Sequence, residues 1–155
     1  MTNKIDDLLP HVIKEYDQTL ERYVRLNSRA TSQIGFVGVI IAIFGFSTQS
    51  LTWGPSTGIQ IAGFVVLLVS IIISIVNLYT KKFYRPDMKE YFEDEGNELD
   101  KKCLLEQYLE STEKLDVQNN TKAGFLNVSY VMTLIGLSIS SLAIICNMFT
   151  VVGTK

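Results

Sequence analysis

The chain has 155 residues, 47% hydrophobic and 19% charged, with a formal net charge of -2. Those averages conceal a segregation: Ala30–Thr80 and Ala123–Thr154, 51 and 32 residues long, contain no Asp, Glu, Lys or Arg. About 20 helical residues cross a hydrocarbon core, so the first stretch accommodates two spans and the second one. A separate soluble globule is thereby excluded, and an all-α membrane protein forming one domain over residues 1–155 is expected.

The start, MTNKIDDLLPHVIKEYDQ, is polar and acidic where a cleavable secretory signal needs a basic stub and an apolar core. The first span is therefore expected to stay in the membrane. Within residues 1–30, Leu9, Ile13, Tyr16, Leu20, Tyr23 and Asn27 step by four and three, and the series continues to Ala30 and Ile34. This spacing predicts an amphipathic cytosolic stalk helix with a heptad seam, in which Asn27 takes a core position that can fix register.

The first span is expected over residues 31–48, with Gly35, Gly38, Ala42 and Gly45 on one small-residue face of the kind through which membrane helices pack. Gly54, Pro55 and Gly58 punctuate the run and predict an outer hairpin over residues 49–58. The second span follows over 59–79, with Gly63, Ser70, Ser74 and Asn77 on a comparable face. Residues 80–123 are expected to hold a linker, interrupted at Pro86, and a second stalk helix with Leu105, Tyr108, Thr112, Leu115 and Asn119 at seam spacing. The acidic stretch Glu90–Asp100 lacks the ligand spacing of an EF-hand and reads as a solvated turn. The third span covers 124–149, followed by an outer tail over 150–155.

Lysine and arginine set orientation. Five lie in residues 1–30 and eight in residues 81–122, against Lys155 alone in the tail and none in the hairpin. This bias places the N-terminus and middle segment in the cytosol and the hairpin and C-terminus outside, in a multi-pass protein of the inner (cytoplasmic) membrane. Asn27-Ser28-Arg29-Ala30 and Asn120-Thr121-Lys122-Ala123 repeat one pattern where each stalk would enter the bilayer. They read either as a duplicated stalk-plus-span unit or as the basic residue that any such helix places near the interface.

Ser129, Thr133, Gly136, Ser140 and Asn147, with Ala143, form a small and polar stripe along the third span. Two readings stand: a packing seam, or the lining of a water-accessible path in an oligomer, since three helices alone enclose no pore. Such a path would be weakly selective, because no charge lies within the spans.

Enzyme chemistry is not expected. His11 is the only histidine, without a Cys or second His nearby. Cys103 and Cys146 fall in a stalk and in a span, which suggests neither a disulfide nor a metal site, and Cys146 reads as a small buried hydrophobe. No cofactor and no nucleic-acid partner are expected.

An outward two-span hairpin followed by a cytosolic helix resembles the SLATT family of small prokaryotic membrane proteins. The likeness covers roughly residues 8–120 and includes Asn27-Ser28-Arg29-Ala30 and Lys81-Lys82-Phe83-Tyr84-Arg85-Pro86. It implies a pore-forming or membrane-damaging effector of nucleotide-signalled conflict and antiphage systems. The third span departs from the simplest two-span form, and sensing is then expected from a cytosolic partner protein, a nucleotide or the stalks. The expectation is a homo-oligomeric membrane effector or weakly selective channel. Its alternative is an accessory membrane subunit whose stalks dock a cytosolic partner.

Overall fold

The computed structural model describes residues 2–47, 55–79 and 101–153, all of them helical: α1 (Thr2–Ser47), α2 (Pro55–Tyr79) and α3 (Lys101–Gly153). Each is long and apolar enough to cross a membrane. The expected stalk segments are not separate helices. Residues 8–26 belong to α1, and 101–119 belong to α3, each continuous with the apolar stretch that follows.

Two boundaries move. Pro55 opens α2 and Gly58 lies in its first turn, so part of the expected hairpin is helix. Proline suits a helix start, where its missing N–H has no partner to lose. Helix α3 likewise runs through to Gly153, into the expected tail. The rest of the hairpin, Pro86, the aromatic Lys81–Arg85 stretch and the acidic turn lie outside the described residues.

Packing divides the chain into two compact units. Unit 1 comprises Met1–Leu26 and Lys81–Lys122, and unit 2 comprises Asn27–Thr80 and Ala123–Lys155.

Unit 1 is held by a seam between α1 and α3. Val12, Tyr16 and Tyr23 pack with Leu104, Tyr108 and Leu115, and Leu9, Ile13, Leu20 and Leu105 close its flanks. The rings of Tyr16 and Tyr108 meet edge to face, centroids 5.4 Å apart, an arrangement favoured by the ring quadrupoles. Of the expected series Leu9–Ile13–Tyr16–Leu20–Tyr23–Asn27, Tyr16 and Tyr23 are buried and the other four are half-buried, while Val12 and Leu26 are buried beside them. On α3 the buried positions are Leu104, Tyr108, Ser111, Leu115, Asn119 and Lys122. Two successive steps of four, Ser111–Leu115–Asn119, interrupt the heptad and form a stutter.

Polar side chains mark where unit 1 ends. Arg22 donates from Nη1 to Asp116 Oδ1 and from Nη2 to Asn120 Oδ1, both at 3.0 Å, and Asn119 Nδ2 donates to the Thr19 carbonyl at 2.9 Å. Lys122 is fully buried, its ammonium 4.3 Å from the centre of the Tyr23 ring. The two sequence repeats are therefore unlike in setting, because Arg29 is exposed.

Unit 2 inverts the usual distribution of polarity. Its exterior carries Phe36, Val39, Ile43, Ile61, Val65, Leu68, Ile72, Val131, Leu134 and Leu142. Its buried residues include Gln33, Gln60, Ser70, Ser74, Asn77, Ser129, Thr133 and Ser140, beside the apolar Ala30, Val37, Ile40, Leu67, Leu126 and Ala143.

Candidate functional site

The polar interior of unit 2 follows from helical periodicity. On α2 the buried positions Gln60, Gly63, Leu67, Ser70, Ser74 and Asn77 alternate steps of three and four. On α3 Ser129, Thr133, Gly136, Ser140 and Ala143 alternate steps of four and three, and on α1 Ala30, Gln33, Val37 and Ile40 do so in turn. Each helix thus directs one narrow stripe inward, the seam geometry of a coiled coil.

Ser129 is the hub. Its Oγ accepts from Gln33 Nε2 at 2.8 Å, lies 2.9 Å from Ser70 Oγ and 2.7 Å from Ser74 Oγ, and reaches the Ser70 carbonyl at 2.9 Å. Ser70 Oγ reaches the Ser129 carbonyl at 2.9 Å and Thr133 Oγ1 at 2.7 Å. Thr133 Oγ1 also accepts from Gln33 Nε2 at 3.2 Å and donates to the Ser129 carbonyl one turn back. Four hydroxyls carry one proton each, yet six short oxygen–oxygen contacts compete for those protons. The network therefore has several proton arrangements and no unique one.

Above this cluster sits an apolar level. Val37, Ile40 and Leu67 form its buried core, packed by Ile41, Phe44, Phe64, Ile71 and Leu137. Gly136 belongs to this level, because a Cβ there would meet Leu67 Cγ and Cδ2 at 2.8 Å. Beyond it the seam is polar again. Ser140 lies against Gly63, where a Cβ would fall on its Oγ, and Gln60 is one turn away on the same face of α2. Glycine at both sites allows α2 and α3 to approach backbone to backbone, as small residues do where membrane helices meet.

Buried polar atoms without a hydrogen-bond partner among the described residues include Gln33 Oε1, both amide atoms of Gln60 and the Ser140 hydroxyl. Such groups are rare in folded interiors and costly unless something hydrogen-bonds them.

The expected third-span stripe is thus brought together, with Ser129, Thr133, Gly136 and Ser140 buried in the seam of a single chain and Asn147 half-buried further along α3. The expected first-span face behaves differently. Gly35, Gly38 and Ala42 are exposed, Gly45 is half-buried, and a Cβ on any of the three glycines would have no other atom within 4 Å. Gln33 and Gln60 escape the sequence reading; Gln60 lies three residues before Gly63 of the expected second-span face, whereas Gln33 lies one residue off the expected Asn27–Ala30–Ile34 series. Cys146, expected to be buried, is exposed. Among the described residues no group of three or more His, Cys, Asp or Glu is placed to hold a metal. His11 is exposed on α1.

No protein family, curated protein or solved structure matches this chain.

Proposed function

We propose that the protein is a multi-pass component of the inner (cytoplasmic) membrane, with N-terminus and residues 90–122 cytosolic and hairpin and C-terminus outside. The observation that carries the membrane setting is the inversion of unit 2. Phe36, Ile43, Leu68, Ile72 and Leu134 face outward while Gln33, Ser70, Ser129 and Thr133 are buried. Water would penalise that exterior, whereas a lipid environment matches it and leaves internal hydrogen bonds to hold the helices together. The thirteen-to-one distribution of basic residues supports the orientation.

Within the membrane we propose a homo-oligomeric effector that permeabilises the bilayer with little charge selectivity, triggered by a cytosolic signal that reaches unit 1 through its stalk segments. The open glycine face of α1 supports self-association. The neutral interior of unit 2 supports weak selectivity, because among the described residues none of its buried groups is charged. Burial of that interior within one chain makes this a closed state that must rearrange to conduct.

The same burial also favours a second reading. A polar seam sequestered inside one chain is what an accessory subunit would use for packing alone, with the stalks left to dock a cytosolic partner. Dye release from liposomes carrying purified protein separates the two, measured alone and after adding cyclic nucleotides or a cytosolic extract. Release that follows the trigger is the result expected of an effector. Intact liposomes under every condition, from protein inserted in the stated orientation, would leave the accessory reading.

A further inference from the structure

We propose that the interior of unit 2, although its three packed helices enclose no open pore, admits water from one end as far as an apolar seal at Leu67, with polar side chains on either side of that seal. Three levels succeed one another along the seam. The first holds Gln33, Ser70, Ser74, Ser129 and Thr133 in one hydrogen-bonded cluster. The second is Leu67 with Val37 and Ile40, its side chain lying over Gly136. The third holds Gln60, 1% exposed, and Ser140, 0% exposed, neither with a hydrogen-bond partner among the described residues.

The unpartnered groups give the third level its character. Gln60 offers two donors and an acceptor, and Ser140 one donor and two lone pairs, on neighbouring turns of facing helices. Groups of that kind, buried among apolar residues, are satisfied by water or by a small neutral hydrogen-bonding solute. The first level is suited to the same ligand in a different way. Its hydroxyls compete for too few protons, and Gln33 Oε1 is unpartnered, so an added water would complete bonds rather than break them. Leu67 is what interrupts continuity between these levels, since an apolar constriction excludes water from an otherwise wettable path. Gly136 allows the leucine to fill the section, because a larger residue would displace it.

The inference rests on the permeation reading above, and its test does not need the wild-type protein to conduct. In protein whose Cys103 and Cys146 are changed to Ser, single cysteines are introduced as Ser140→Cys or Ser74→Cys. They are titrated in liposomes with a small membrane-impermeant methanethiosulfonate applied from the side where α2 begins. Ser140→Cys should react and Ser74→Cys should not. Adding Leu67→Ser should raise the Ser74→Cys rate by about tenfold or more, as expected when an apolar seal becomes wettable. Leu67→Ala should act in the same direction and serves if the serine variant fails to fold, folding being judged by helicity and elution volume. An unreactive Ser140→Cys, or a Ser74→Cys rate unmoved by a folded Leu67 variant, would overturn the proposal. Neither result would alter the dye-release outcome by which the permeation reading itself stands or falls.

Discussion

Ser70 Oγ and Thr133 Oγ1 lie 2.7 Å apart, both buried, on helices whose outer faces are Val, Leu, Ile and Phe. That contact joins α2 to α3 at the centre of unit 2, and it belongs to a network in which Ser129 touches every other polar member.

The hub makes the first prediction. Ser129→Val removes a hydrogen-bond partner of Gln33, Ser70 and Ser74 together; Gln33 and Ser70 keep Thr133, while Ser74 loses its contact across the seam. Interhelical hydrogen bonds in membranes contribute about 0.6 kcal/mol on average, and losing three at once sets the expected loss at roughly 1–3 kcal/mol. Ser138→Ala, which removes an exposed hydroxyl bonded only to its own helix at Leu134, should change stability by less than about 0.5 kcal/mol. Reversible unfolding in mixed micelles compares them, and equal effects would deny Ser129 its central place.

Glycines of the two kinds should respond with opposite signs. Gly136→Ala forces a methyl against Leu67 and Gly63→Ala forces one onto Ser140, so both should destabilise unit 2 by about 1–3 kcal/mol. Gly35→Ala and Gly38→Ala meet nothing within the chain and should stabilise the isolated protomer by about 0.5–1 kcal/mol through helix propensity. Gly38→Leu should nevertheless lower oligomer mass in detergent, if α1 pairs with a second copy through this face. Unchanged mass would remove the face from any oligomer interface.

In unit 1 the seam and its rim should separate clearly. Tyr23→Glu buries a carboxylate against the α1–α3 core and should unfold this unit, since an unpaired buried charge costs several kcal/mol. Arg22→Ala loses half-exposed bonds to Asp116 and Asn120 and should cost no more than about 1 kcal/mol. Arg22→Glu should cost more than Arg22→Ala, because it sets a carboxylate beside Asp116. Proteolysis of residues 101–122, followed over time, reports the difference.

Alkaline titration gives a fourth test. Burial, and then the nearby Asp17 carboxylate, holds the Tyr108 phenol above its ordinary value. A neutral phenol favoured in the folded state means that the unfolded chain loses its proton first. The stability contributed is therefore fully present below the ordinary tyrosine pKa of about 10 and declines as pH rises past it. Tyr108→Phe should abolish that part of the decline in helicity; an identical alkaline profile would assign it elsewhere.

Sequence alone reaches the helical class, three helices of membrane-spanning length and apolarity, and the inward stripes of α2 and α3, because three-four spacing of Ser, Thr and Gly against aliphatic neighbours is unambiguous. On α1 it reaches Tyr16 and Tyr23 but not Val12 and Leu26. Leu9, Val12, Ile13, Leu20, Val24 and Leu26 make a stripe wide enough for two registers, and packing against Tyr108 and Leu115 of α3 is what selects Val12, Tyr16 and Tyr23. The destination of the Ser129–Ser140 stripe is equally hidden in sequence, since a packing seam and a lumen wall share one periodicity. The partners Gln33 and Gln60 are single amides without a local motif, and their role appears only once three helices are superposed in space.

The order of synthesis gives the Ser129 hub a further meaning. Ribosomes deliver α1 and α2 before α3, so Gln33, Ser70 and Ser74 must await the hydroxyls of Ser129 and Thr133. In the proposed membrane setting, a hairpin of the first two helices alone would leave those polar stripes facing lipid. The third helix is thus the element that closes the seam, and the first two are not expected to hold their native packing without it.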